Sequence, residues 1–219
     1  MSADPHQLTA DAIARHRVIG VIRAKDASEA LWAAETTVSG GLPLVEITLT
    51  TPGAYEAIAR LRENPAVTVG AGTVLDEAMA RQAIKAGAQF LVSPHTDAAI
   101  IHLCREWGVL VAAGAATPTE ALNASRLGAD LVKIFPAETL GGPRFLKLLL
   151  DPLPWLKLMP TGGVTLDSLP AYFEAGAHAA GVASVLYEKN VMRRRDEDAL
   201  ISRVQALLQR VPALEGQPS

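Results

Sequence analysis

Two charged side chains stand inside apolar runs of this sequence, and their types define a chemistry. Lys133 lies within Ala129-Asp130-Leu131-Val132-Lys133-Ile134-Phe135-Pro136, and Glu46 within Leu44-Val45-Glu46-Ile47-Thr48-Leu49. A lone ammonium in a buried strand is desolvated, which favours its neutral form. A neutral amine is a nucleophile, and a lysine desolvated in an apolar pocket is one way to build a Schiff-base catalyst. A carboxylate opposite it would shuttle protons. The competing reading is a buried structural ion pair, costly and replaceable by apolar residues.

These residues need elements that aim them at one another. Apolar runs predict strands at Val18–Arg23, Leu44–Leu49, Val67–Val69, Phe90–Val92, Val109–Ala112, Leu131–Phe135, Lys157–Met159 and Ala179–Val182. Helix-forming stretches lie between them: Lys25–Ser39, Tyr55–Arg62, Asp76–Ala86, Asp97–Trp107, Pro118–Leu127, Pro143–Leu149 and Leu166–Ala175. Gly87, Gly108, Gly128 and Gly176 follow four of these as left-handed helix stops. A further helix over about residues 5–16, clearest at Leu8–Arg17, precedes the first strand; Leu200–Leu208 forms one at the other end, and about residues 212–219 read as a loose tail.

Strands buried on both faces read as near-continuous apolar runs, as these do. Eight of them alternating with helices predict an α/β protein: one domain over residues 1–219, a (β/α)8 TIM barrel with an extra N-terminal helix. The open-sheet alternative lacks its dinucleotide fingerprint, because Gly70-Ala71-Gly72-Thr73-Val74-Leu75 has no third glycine.

In a barrel, functional groups gather at the carboxyl ends of the strands. Arg23, Glu46, Thr73, Pro94, Lys133 and Thr161 all fall at or close to such ends. Alternation of side chains places Glu46 with Leu44, Thr48 and Thr50, and Lys133 with Leu131 and Phe135. If Val45, Ile47, Val132 and Ile134 pack toward the helices, Glu46 and Lys133 both face the barrel mouth. Pro160-Thr161-Gly162-Gly163-Val164 and Gly181-Val182-Ala183-Ser184 follow the seventh and eighth strands, where barrels commonly hold a phosphate on backbone N–H groups. Ordinary tight turns are the alternative for each loop. Arg23 fits either a substrate carboxylate or a rim salt bridge. Thr73 fits either a hydrogen bond to substrate or a helix cap.

Composition sets the remaining limits. The 219 residues are 49% hydrophobic and 20% charged, which argues against extended disorder. A net charge of −3 predicts no attraction to nucleic acid or an anionic membrane. Arg193-Arg194-Arg195 is followed by Asp196-Glu197-Asp198 and reads as a charge-balanced helix start. The single cysteine, Cys104, fits a buried small hydrophobe and a reducing cytoplasm, and no signal peptide or bilayer-length apolar run is visible. His95 suits a loop or capping role, and His102 and His178 have no partner at metal-ligand spacing, so no metal site is expected.

Taken together, these residues resemble the 2-keto-3-deoxy-6-phosphogluconate (KDPG) aldolase and 4-hydroxy-2-oxoglutarate aldolase family. The matching segments are Val45-Glu46-Ile47-Thr48, Gly70-Ala71-Gly72-Thr73-Val74, Ser93-Pro94, Thr117-Pro118-Thr119-Glu120, Lys133-Ile134-Phe135-Pro136-Ala137-Glu138 and Pro160-Thr161-Gly162-Gly163. They occur in family order between about Val18 and Leu186. The resemblance implies a cytoplasmic class I aldolase, a homotrimer needing no organic cofactor. Lys133 matches the Schiff-base lysine and Glu46 the general acid/base. Thr73, Pro94 and Phe135 match residues lining the pyruvate site, Thr161 matches a threonine setting stereochemical preference, and Gly162, Gly163 and Ser184 match the phosphate end.

Two positions depart from the pattern. Thr50 stands where many members carry the carboxylate-binding Arg, and Arg23 is expected to supply that cation instead, as in another branch of the family. Ala183 stands where relatives often have Gly, and alanine restricts positive φ. Cleavage of KDPG, with side activity on 4-hydroxy-2-oxoglutarate, is the expected reaction. Alternatives are the galactonate-derived epimer as substrate, a phosphosugar epimerase with Glu46 as base, and a non-catalytic barrel that binds phosphometabolites.

Overall fold

The structure, a computed structural model, describes residues 4–212. Eight strands lie parallel in one sheet: β1 Val18–Ile22, β2 Leu44–Thr48, β3 Thr68–Gly72, β4 Phe90–Val92, β5 Leu110–Ala115, β6 Leu131–Ile134, β7 Leu158–Pro160 and β8 Ala180–Val182. Neighbours pair in sequence order from β1 to β7, and β8 pairs with β1. Parallel bridges Leu158–Ala177 and Thr161–Gly181 close the ring between β7 and β8. The predicted barrel is the observed fold.

Helices α1 Pro5–His16, α2 Ala27–Ser39, α3 Ala54–Arg62, α4 Glu77–Lys85, α5 Ala98–Glu106, α6 Pro118–Leu127, α7 Gly142–Leu150, α8 Leu169–Glu174, α9 Lys189–Arg194 and α10 Glu197–Leu208 surround it. Their starts follow from local chemistry. Asp26, Asp76 and Asp97 cap α2, α4 and α5, and Thr117 with Glu120 forms a capping box on α6. Such caps are each worth about 1 kcal/mol. The predicted stops Gly87, Gly108, Gly128 and Gly176 all have positive φ.

The core occupies the layer between strands and helices. Val45, Ile47, Val132 and Ile134 are fully or almost fully buried there. Burying each such side chain stabilises the fold by about 1.5–3 kcal/mol. Cys104 is fully buried too, and burial pushes its thiol up to about 12, so it is an inert core residue.

Several boundaries differ from expectation. β3 runs through Gly70-Ala71-Gly72 and β5 through Ala113-Gly114-Ala115, beyond their predicted ends. Small residues serve in these strand ends because neighbouring atoms fill the space a Cβ would take: the Phe90 ring beside Gly70 and the Pro94 backbone beside Gly114. α8 begins at Leu169 because Thr165 and Ser168 close a hydrogen-bonded turn before it. The arginine triplet does not start a helix. Arg193 and Arg194 end α9, Arg195 is its left-handed C-cap, and Asp196 caps α10, which starts at Glu197. Cations at a helix end and an acid at the next start both suit the helix dipole. Of the expected tail, residues 213–219 lie outside the described residues.

Candidate active site

At the carboxyl ends of the strands lies a cavity of about 410 Å³. Arg23, Glu46, Thr73, Pro94, Lys133, Phe135, Thr161 and Gly162 line it, as the sequence led us to expect, joined by Val21, Thr48 and Ala183. Thr48 was legible as a neighbour of Glu46 on the same strand face. Val21 carried no polar signal. Further cavities meet around Lys157 at the opposite ends of the strands, and neither Lys133 nor Glu46 lines any of them.

Lys133 is 5% exposed and Glu46 1%. Burial, the larger influence on each, pulls the Lys133 amine below its ordinary range and pushes the Glu46 carboxyl above its own. Each partially offsets the other's shift, while Arg23 lowers both. The pair is thus driven toward a neutral amine and a protonated acid. No ion pair within 4.0 Å joins them among the described residues. Oε2 of Glu46 is buried without a hydrogen-bond partner among the described residues. A structural ion pair would show contact and satisfied oxygens; this pair shows neither.

Backbone geometry creates the room these groups need. Thr48 pairs with Gly72, and a Cβ on Gly72 would strike the Glu46 carboxylate. Gly114 pairs with Lys133 in the next strand. The Lys133 ammonium position lies 5.0 Å from the Phe135 ring centroid. Next to it, the β6 and β7 loops are tied together by Ala137 N–H donating to Thr161 O (2.9 Å) and Glu138 N–H donating to Gly162 O (3.1 Å).

Arg23 is exposed on the cavity rim, and none of the ion pairs includes it, so the rim salt bridge is absent among the described residues. Thr73 does not cap α4, since Asp76 does. It instead holds φ 58°, a strained conformation for a β-branched residue, fixed by Val74 N–H donating to Val92 O. Thr161 is 6% exposed, and its Oγ1 has no partner among the described residues.

The phosphate loops divide. Gly162 and Gly163 have φ 89° and 82°, which glycine accepts without strain. Only Gly162 lines the cavity; Gly163 packs against the Glu138 side chain. Ser184 is exposed and lies outside the lining, whereas its neighbour Ala183 belongs to it. Ala183 is not among the positive-φ residues, so the expected conformational restriction has no effect at that position. His95 contacts Ser93 through its ring and takes no part in the lining, and Asp97, not His95, caps α5. No group of three or more His, Cys, Asp or Glu side chains among the described residues is arranged to hold a metal ion. Nor is any described helix long and apolar enough to cross a membrane.

Known proteins share both sequence and fold with this chain. Residues 10–204 match the aldolase family described as KDPG and KHG aldolase. A 2-dehydro-3-deoxy-phosphogluconate aldolase of Treponema pallidum is 40% identical over 163 residues, covering 74% of this chain and 78% of the relative. The crystal structure of 2-keto-3-deoxy-6-phosphogluconate aldolase from Zymomonas mobilis superposes with a TM-score of 0.85 at 31% identity, covering 94% of this chain and 98% of the other. A KDPG aldolase from Legionella pneumophila, captured with pyruvate as a covalent carbinolamine intermediate, superposes with a TM-score of 0.82 at 27% identity, over 94% and 98% of the two chains. The ordered motifs, the closed barrel and the match over most of its length lead to one assignment: the chain belongs to the KDPG and KHG aldolase family.

Proposed function

We propose that this protein is a cytoplasmic, homotrimeric class I aldolase that cleaves 2-keto-3-deoxy-6-phosphogluconate to pyruvate and glyceraldehyde 3-phosphate. One observation carries the reading: Lys133 and Glu46 are buried in one cavity, out of ion-pair contact, and both are pushed toward their neutral forms.

The reaction follows from that state. The Lys133 amine adds to the C2 carbonyl, and Glu46 delivers a proton to the departing hydroxyl, so water leaves and an iminium ion remains. The cation draws in the electron pair of the C3–C4 bond as the C4 hydroxyl gives its proton to the Glu46 carboxylate. Glyceraldehyde 3-phosphate departs and an enamine stays on Lys133. Protonation of that enamine and addition of water return pyruvate and the free amine.

The two ends of the substrate have their own partners. Arg23, on the rim and without an ionic partner among the described residues, suits the carboxylate. Gly162 and the loop through Ala183 suit the phosphate, with Gly163 and Ser184 shaping its outer edge. Thr73, Pro94 and Phe135 enclose the pyruvyl part. Thr161 presents a buried hydroxyl with no partner among the described residues, which suits a substrate hydroxyl. By its resemblance to the gluconate-acting branch, a threonine at this position favours the gluconate-derived epimer; the galactonate-derived one is the alternative.

Pyruvate release from the two epimers and from 4-hydroxy-2-oxoglutarate, measured side by side, tests the substrate assignment. The gluconate-derived compound should give the highest kcat/KM, and Thr161→Val should narrow its lead. A higher kcat/KM for the galactonate-derived epimer would replace it as the substrate.

A further inference from the structure

We propose that Thr51 is a positioning residue that holds Arg23 over the mouth of the cavity. The inference rests on Arg23 as the carboxylate partner and goes beyond it by assigning what fixes that arginine in place. The ladder between β1 and β2 ends at Ile22–Ile47. Arg23 and Ala24 therefore leave the sheet immediately beside the active site. Across the gap, Thr51 N–H donates to Thr48 O at 2.9 Å, and Thr51 O accepts from Ala54 N–H at 3.1 Å, so both backbone groups of Thr51 are fixed.

From this anchored turn the Thr51 hydroxyl accepts a hydrogen bond from Ala24 N–H at 3.1 Å, with Thr51 only 2% exposed. The same hydroxyl lies 3.5 Å from that of Thr48, which lines the cavity and is 3.0 Å from the Thr50 hydroxyl. Arg23 makes no side-chain hydrogen bond or ion pair among the described residues that would orient it directly. The bond to its neighbour's backbone thus determines where its long side chain starts. A flexible side chain ordered only on binding weakens affinity, and a fixed origin reduces that loss. In this chain, Thr51 connects the end of β2 to the end of β1 where the carboxylate must dock.

Steady-state kinetics on the phosphorylated substrate, with Thr51→Val and Thr51→Ser each made in the native and Arg23→Ala backgrounds, test the proposal. Valine keeps the shape and deletes the acceptor. It should raise KM about three- to tenfold, the size of the loss when one long side chain must be ordered on binding, with kcat within about twofold. Serine should restore KM to near the native value. In the Arg23→Ala background, valine should change KM by less than about twofold, because no guanidinium is left to position. Should valine fail to fold, Thr51→Ala supports the same comparison.

An equal rise in KM in both backgrounds, or a fall in kcat at constant KM, would overturn the positioning role. So would an unchanged KM for Thr51→Val when Arg23→Ala raises it, leaving the carboxylate reading intact. If Arg23→Ala itself leaves KM unchanged, the carboxylate reading fails and the positioning role fails with it.

Discussion

Gly72 is a glycine because Glu46 occupies the space where its side chain would be. A Cβ at that position would strike the carboxylate and come within 2.7 Å of the Glu46 Cγ. The two lie on adjacent strands, with Glu46 opposite Gly70 and Gly72 one alternation further on. Gly72→Ala should therefore displace the acid without touching Lys133. A misplacement of about 1 Å can lower a rate about 100-fold. Turnover of the variant should fall on that order while thermal melting shows a folded barrel; turnover within about threefold of native would contradict the account.

The Arg23 guanidinium also affects the nucleophile electrostatically. It lowers the pKa of Lys133, adding to the larger effect of burial. Removing the arginine leaves one fewer cation opposing protonation, so the Lys133 pKa rises. In Arg23→Ala, the acid limb of pyruvate adduct formation, followed by borohydride trapping at saturating pyruvate, should move to higher pH. A limb that stays in place or moves to lower pH would show that Arg23 does not act on the amine.

Lys133 should be a burden on stability. Its folded pKa lies below the ordinary 10.5, so in the window between those values the unfolded chain binds more protons and stability rises with pH. Lys133→Met removes that penalty. The variant should gain about 0.5–2 kcal/mol, a typical size for such relief. The gain should be largest below the folded pKa and shrink as pH climbs toward 10.5. Denaturant titrations at several pH values check this; a variant less stable than native at every pH would contradict it.

Much of this was legible in the sequence because the signals were local. Strands buried on both faces announce themselves as apolar runs, and two charges inside such runs stand out against them. The short α9 was missed because six residues carry little periodicity and its arginines resembled a helix start. The long ends of β3 and β5 were missed for another reason. Glycine and alanine have low strand propensity, and their place in the sheet depends on Phe90 and on the Pro94 backbone approaching from neighbouring elements. Such contacts depend on register between strands, which no single segment records. The same applies to Gly72 beside Glu46 and to Thr51 beside Ala24. Ser184 and Gly163 sat in the right loops but outside the cavity lining, since position along a loop does not fix which residue turns inward.

If Lys133 forms a Schiff base with pyruvate, reduction must trap pyruvate on that side chain. Incubation of the protein with pyruvate and borohydride, followed by peptide mass mapping, should place one reduced pyruvyl adduct on Lys133, with matching irreversible loss of activity and no adduct in Lys133→Met. Folded native protein that forms no adduct, or forms it at another lysine, would contradict the account.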